Sequence, residues 1–417
     1  MLEYLLLSAL SFASPDFVQG STDDPTGHGH DEPVGEFQLQ EMETPAGPKS
    51  SLPNLVKGAD GEMYLSWVDR EADKVAVLRI SRLGASSWGA PIDVVKGSDL
   101  MLNWADFPSV QVSASGVMIA SWLRQASEPH GYMAEFRIST DRGKTWGPVQ
   151  RLHDDGSVAE HGFVSLAPIG KDSFGAIWLD GRGMSGGGHG DAGGHGHGAG
   201  SMALYFRTIS KAGELGPEIV LDPRVCDCCQ TSLIALPGGG LMAAYRDRSA
   251  EEIRDISTLV YDGKSWSKPS TAHADDWKIA GCPVNGPRLA LGDSLKGIAW
   301  FTVVDNKNPV AYAKVGGSDF DGLPAIPIAD VQSMGRVDMV PGTNDSVLVA
   351  WMETLEDGQA EWRLRRISKA GHKGDSITIA KIPGERRVGF LRMAATGNGA
   401  VLAWTSGGDE RRVKTAI

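Results

Sequence analysis

Met63-Tyr64-Leu65-Ser66-Trp67 is a short β-prone run closed by a tryptophan, and the chain returns to it again and again. Gly175-Ala176-Ile177-Trp178, Leu348-Val349-Ala350-Trp351 and Val401-Leu402-Ala403-Trp404 have the same form, and Trp122, Tyr245 and Trp300 complete a set of seven. Successive members stand about 51 to 56 residues apart, except for one interval of about 67 that holds a Gly/His insertion. A fixed period of this length marks an architecture in which each repeat is one supersecondary unit.

Working outward from the aromatic, each unit resolves into strands. An apolar run precedes it, as in Phe107 to Val112, Phe163 to Pro168, Leu233 to Leu236 and Phe390 to Ala395. A third strand follows, signed by Arg79-Ile80-Ser81, Arg137-Ile138-Ser139, Arg207-Thr208-Ile209-Ser210 and Arg366-Ile367-Ser368. A fourth opens after Trp88-Gly89-Ala90-Pro91, Trp146-Gly147-Pro148, Leu215-Gly216-Pro217 and Trp266-Ser267-Lys268-Pro269. Four strands per repeat make a propeller blade, so the predicted fold is an all-β propeller of seven blades. The last repeat, Val388 to Ile417, offers only three strands. The lone segment Glu36 to Met42 is therefore expected to supply the fourth and close the ring, leaving no sheet edge open.

Composition fits that reading. The chain has 417 residues with 53 Gly, 22 Pro and 12 Trp, which suits short strands and tight turns in one large repeat domain over residues 36–417. The formal net charge of −12 and the lack of a Lys/Arg cluster argue against a nucleic-acid partner. No apolar run approaches the roughly 20 residues of a membrane span. Residues 1–13 carry an apolar run, Leu5 to Ala13, with small residues near its end, as in a secretory signal without its basic start. Export to the periplasm or the exterior is the expectation, with residues 14–35 as a flexible tether.

The turn between the third and fourth strands of the second repeat reads Ser139-Thr140-Asp141-Arg142-Gly143-Lys144-Thr145-Trp146. Asp accepts backbone N–H groups, Gly takes positive φ and Trp packs between sheets. With Ser139, Asp141, Gly143, Thr145 and Trp146 in place, the stretch matches the Asp-box (BNR) pattern, and here the chain resembles the sialidase superfamily. That resemblance implies a propeller, with six blades in the catalytic domains of the family as the alternative count. It also implies a sialidase-type exo-glycoside hydrolase acting on a glycan, with three arginines on a carboxylate, a Tyr–Glu nucleophile and an Asp acid/base. Phe136-Arg137-Ile138-Ser139 looks like the family's Phe-Arg-Ile-Pro signature. It lacks the proline, and it lies in register with Arg79 and Arg366, so no catalytic role is carried over to it.

In a propeller the segments leading into first strands, and the turns between second and third strands, open on one face. Those positions hold Asp106, His161, Cys226-Asp227-Cys228-Cys229-Gln230, Cys282 with Asn285, and Arg336 with Asp338. All four cysteines are in this set, three at the mouth of blade four and one at blade five. Cys226, Cys228, Cys229 and Cys282 are therefore candidate thiolate ligands for a soft metal, with His161 as a candidate extra ligand. Paired disulfides are the alternative, including a strained vicinal Cys228–Cys229 bridge.

The insertion supplies a second hint. His189, His195 and His197 lie on a glycine chain within residues 183–200, a composition that reads as metal-recruiting, and His28 with His30 repeats it. Thiolate with imidazole favours copper as the cofactor. Arg246, Arg248, Lys278, Asn285, Arg336, Asp338 and Asp106 are candidate contacts for an anionic ligand, with salt-bridged blade ends as the plainer explanation. Three functions are thus in view: an exported, non-hydrolytic metal-binding propeller whose partner is a metal ion or a metal-handling protein, a sialidase-type hydrolase, and a disulfide-stapled protein-binding scaffold.

Overall fold

The computed structural model describes residues 37–126, 131–184, 200–305, 307–317, 320, 322–409 and 411–417. The expected signal segment 1–13, the tether 14–35 with His28 and His30, and His189, His195 and His197 lie outside the described residues.

Seven four-stranded antiparallel sheets make up the fold, joined in sequence order. Blade 1 consists of Ser50–Lys57, Met63–Arg70, Ala76–Arg82 and Ile92–Gly97. Blade 7 combines Arg392–Ala395, Ala400–Thr405 and Val413–Ala416 with Glu41–Met42, the first strand among the described residues. The count is seven rather than six, and the N-terminal strand closes the ring. Its pairing is short: Glu41 faces Ala416 and Met42 faces Thr415, extended by reciprocal Gln40–Ile417 backbone hydrogen bonds of 2.8 Å. Pro45, Gly47 and Pro48 then turn the chain into blade 1, which limits how far the strand can run.

Every repeated aromatic stands on the second strand of its blade and is buried, from Trp67 and Trp178 at 0% exposure to Trp404 at 4%. A buried indole needs an acceptor for its N–H. Trp67 Nε1 donates to Asp69 at 2.9 Å, Trp178 to Asp180 at 2.8 Å and Trp351 to Glu353 at 2.6 Å. Arg79 and Arg182 pair with the same carboxylates. The acidic groups that end the second strands are thus engaged inside their own blades.

The Asp box behaves as the sequence suggests. Asp141 Oδ1 accepts the Thr145 N–H at 2.9 Å and the Ser139 hydroxyl at 2.8 Å, while Gly143 donates its N–H to Ser139 Oγ at 2.8 Å. Hydrogen bonds from Thr145 hold the Asp141 carboxyl down at about 2. Gly147 donates to the Ile138 carbonyl at 2.8 Å, and degenerate versions keep this backbone geometry: Gly89, Gly216, Ser267 and Gly374 each donate to a third-strand carbonyl at 2.8–2.9 Å. Gly143 has φ +83°, and a Cβ there would lie 2.7 Å from Ile80 Cδ1 of blade 1. Gly143→Ala should therefore cost about 1–2 kcal/mol, from left-handed strain and crowding between blades, read as a lower urea midpoint with an unchanged m-value.

Candidate functional site

Residues 226–230 lead from the last strand of blade 3, Ile219–Val225, into the first strand of blade 4, Ser232–Ala235. Cys282 lies between Ser270–His273, the last strand of blade 4, and Arg288–Leu291, the first of blade 5. The turn joining Leu241–Arg246 to Ile256–Tyr261 is pinned to both segments. Cys226 N–H donates to Arg246 O at 3.0 Å, Arg254 N–H to Trp277 O at 2.9 Å and Ile279 N–H to Glu252 O at 3.0 Å. Buried Asp255 adds two bonds, accepting the N–H groups of Asp276 and Trp277 at 3.1 and 3.2 Å. One ordered turn thus brings two segments more than fifty residues apart to the same mouth.

The four cysteines gather there. Cys226 Sγ lies 3.4 Å from Cys229 Sγ and 3.9 Å from Cys228 Sγ. Cys228 in turn shares a group with Cys282 and the Asp227 carboxylate, their ligand atoms all within 4.8 Å of one another. The sulfurs are thiols, well beyond the roughly 2.05 Å of a disulfide. Cys226 and Cys229 are enclosed, 1% and 2% exposed, whereas Asp227, Cys228 and Cys282 are half-buried.

The charges around the cluster are ordered. Arg254, 2% exposed, donates from Nη1 to Cys226 Sγ and to Asp227 Oδ1, both at 3.3 Å. Its Nη2 reaches Glu252 at 2.8 Å, and Glu252 also receives Arg248 at 2.9 Å. Hydrogen bonds from Arg248 and then Arg254 hold the Glu252 carboxyl down at about 2. Burial opposes ionisation of Cys226. The thiols of Cys228 and Cys229 and the guanidinium groups of Arg254 and Arg246 outweigh it, holding Cys226 well below the usual thiol range. Cys228 is pushed up by its hydrogen bonds to the other three sulfurs, and Cys229 by burial. One thiolate, at Cys226, with neighbouring thiols as donors is the arrangement this chemistry favours.

The other nominated residues have structural partners. Arg246 gives its guanidinium to three carbonyls: Asn285 at 2.8 Å, Phe301 at 2.6 Å and Arg254 at 2.6 Å. Asn285 Oδ1 accepts the Arg336 N–H at 2.6 Å, Asp338 Oδ2 accepts Met393 N–H at 2.7 Å, and Asp106 Oδ2 accepts Phe163 N–H at 2.8 Å. Each is a side chain at one blade's inner strand accepting from the next blade, a tie around the ring. Arg336 lies over Trp104 at 4.7 Å and donates to Gly389 O. Arg288 binds Asp338 at 2.7 Å, and Lys278 is exposed.

His161 is placed apart from its expected company. Its ring stacks on His153, centroids 3.4 Å apart, and both approach Asp155, at 3.2 and 2.6 Å. Its group of ligand-forming neighbours is His153 and Asp155, not the cysteines. Burial, and then the like charge of His161, bring His153 down to about 4. The reason is register: His161 opens the first strand of blade 3 opposite Asp180, which draws it toward the blade 3 acids.

Arg254 and Asp227 were missed as members of the cysteine site. Asp227 lay in plain view between two cysteines, and the density of charge from Arg246 to Arg254 was the available signal for the other.

No protein-family model and no curated protein sequence matches the chain. Solved structures do. A polysaccharide lyase of a new family, PL25 ulvan lyase, aligns over 90% of this chain and 95% of its own at 9% identity, with a TM-score of 0.55. Its complex with -[GlcA(1-4)Rha3S]- aligns over 92% and 95% at 10% identity and 0.53. The likeness is one of fold. The intramolecular trans-sialidase of Ruminococcus gnavus also aligns, over 74% of this chain and 93% of its own, at 9% identity and a TM-score of 0.49. The seven-bladed propeller predicted from the repeat is the architecture of the chain.

Proposed function

We propose that this chain is an exported, non-hydrolytic propeller that holds a soft transition metal, copper(I) above others, in the cysteine cluster at its channel mouth. The observation that carries the reading is the spacing of the three sulfurs, 3.4 and 3.9 Å. Thiolates at a metal–sulfur distance of about 2.3 Å around one ion stand roughly 3.8 Å apart. Cys226, Cys228 and Cys229 would hold the ion, and the buried Arg254 offsets part of the negative charge that three thiolates bring. Soft sulfur selects copper(I) over hard cations.

The hydrolase reading has less to stand on. Tyr245 donates its hydroxyl to Asp222 at 2.6 Å and is pushed up by burial, the opposite of an activated nucleophile. Arg246 is fully engaged with carbonyls.

Protein purified reduced from copper-supplemented cells should contain copper by elemental analysis, and Cys226→Ser should lose the sulfur-bound ion. Binding should weaken in acid, as protons compete for thiolate, and vanish on oxidation to disulfide. Copper content equal in wild type and Cys226→Ser, or a cluster isolated only as disulfides, would reject the reading. Fractionation of the source cell tests export, which rests on the Leu5 to Ala13 run.

A further inference from the structure

Cys228 belongs to two ligand groups at once: with Cys226 and Cys229 on its buried side, and with Asp227 and Cys282 on its half-exposed side. We propose that the site is built for two metal ions bridged by the Cys228 thiolate, an inner ion on Cys226, Cys228 and Cys229 and an outer ion on Cys228, Cys282 and Asp227. This rests on the soft-metal reading and adds its stoichiometry and its order of release.

Three observations point the same way. Each group is compact enough for one ion, since its ligand atoms all lie within 4.8 Å of one another. A thiolate has lone pairs enough to bind two metals, and Cys228 is the single residue common to both groups. Arg254 Nη1 touches one ligand of each, Cys226 Sγ and Asp227 Oδ1, at 3.3 Å in both cases, so one guanidinium balances charge on both sides of the bridge. Glu252, on the far side of Arg254 at 2.8 Å, holds that guanidinium in place.

The two positions differ in access. The inner ligands Cys226 and Cys229 are 1% and 2% exposed, so the inner ion is enclosed. The outer ligands Asp227 and Cys282 are half-buried. The outer ion is therefore the exchangeable one, the position from which copper passes to or from another thiol-bearing carrier by ligand exchange. No change of oxidation state is needed for that step: each sulfur lost from the ion on this chain is replaced by one on the acceptor.

The test loads the reduced full-length chain anaerobically with copper(I) supplied as its acetonitrile complex. Ions are counted by native mass spectrometry and their neighbours read by X-ray absorption. Two thiol-dependent ions with a metal–metal scattering path are expected, with one ion removed by a thiol chelator well before the other. Cys282→Ser and Asp227→Asn should each reduce the count from two to one, abolish the metal–metal path and leave three-sulfur coordination intact. Their loss of only the outer ion, with unchanged circular dichroism, separates this from misfolding. A wild-type chain holding a single sulfur-bound ion, or no metal–metal path, would overturn the two-ion site and leave the soft-metal reading standing. No sulfur-bound ion at all would remove both.

Discussion

Arg254→Leu is expected to weaken copper(I) binding by about 10- to 100-fold while leaving the fold intact, the usual range for losing a group that orients and tunes metal ligands. The guanidinium donates to Cys226 Sγ and Asp227 Oδ1 at 3.3 Å and is 2% exposed, so its charge acts on the sulfur with little screening by water. Without it the Cys226 thiol loses one of the groups that hold it down and rises toward the ordinary thiol range, so that ligand must give up a more tightly held proton. The loss should therefore be larger at pH 6 than at pH 9, where thiolates form more readily. Arg254→Lys should recover part of the affinity, since it restores charge but not the fork that reaches two ligands. Affinity measured by competition with a copper(I) chelator at both pH values checks this. Equal affinity in Arg254→Leu and wild type would show that the guanidinium serves only its contact with Glu252.

Asp106→Asn should stabilise the protein, and increasingly so as pH rises. Asp106 is 4% exposed and its carboxyl is pushed up to about 7, mainly by burial and also by the neighbouring Glu160, against the lowering effect of the Phe163 N–H. In the unfolded chain it ionises near 4. Below that value the group is neutral in both states and costs nothing. Between about 4 and 7 the unfolded state gains by releasing a proton that the folded state retains, so stability falls as pH rises and levels off above 7. Each pKa unit corresponds to about 1.36 kcal/mol, giving a penalty on the order of 4 kcal/mol at pH 8. Asparagine keeps an oxygen for the Phe163 N–H and cannot ionise. The variant and wild type should match near pH 4 and diverge by that amount at pH 8 in urea unfolding. Taking the difference between the two proteins cancels opposing groups such as Glu252. A constant difference across pH would mean that Asp106 is ionised in the folded ring.

The seven-blade count was legible because each blade carries the same local demand. Every second strand must bury one large aromatic, and in blades 1 to 4 and 6 a turn after the third strand returns one N–H to that strand. Those demands recur in sequence as Trp67 through Trp404 and as the Arg-Ile-Ser signatures. The three-strand remainder at the C-terminus implied the closing strand, although the pairing observed covers less than the Glu36 to Met42 segment. The convergence of Cys226, Cys228, Cys229 and Cys282 was also legible, since blade order and strand polarity decide which loops share a face.

Partnership was not legible. Asp106, Asn285, Arg336 and Asp338 sit where ligand contacts would sit, yet each ties one blade to the next, and Arg246 is absorbed by three carbonyls. Nothing in their identity separates the two uses, because a buried carboxylate or guanidinium looks the same in sequence whether its partner is a ligand or a backbone N–H of the neighbouring blade. His161 shows the same limit: its place at a blade mouth was readable, but its stacking on His153, from the segment between blades 2 and 3, was not. Arg254 reaches the cysteines only because the turn from Asp247 to Asp255 is pinned on both sides.

By itself the sequence determined what repeats: the period, the strands, the turn chemistry and the face on which the cysteines open, all consequences of short-range pattern imposed seven times. Only the tertiary structure decided which side chains touch across blades, that one cysteine stands between two ligand groups, and that a buried arginine serves both. Such contacts join residues tens of positions apart, and their distances are set by how neighbouring blades pack, which no local pattern encodes.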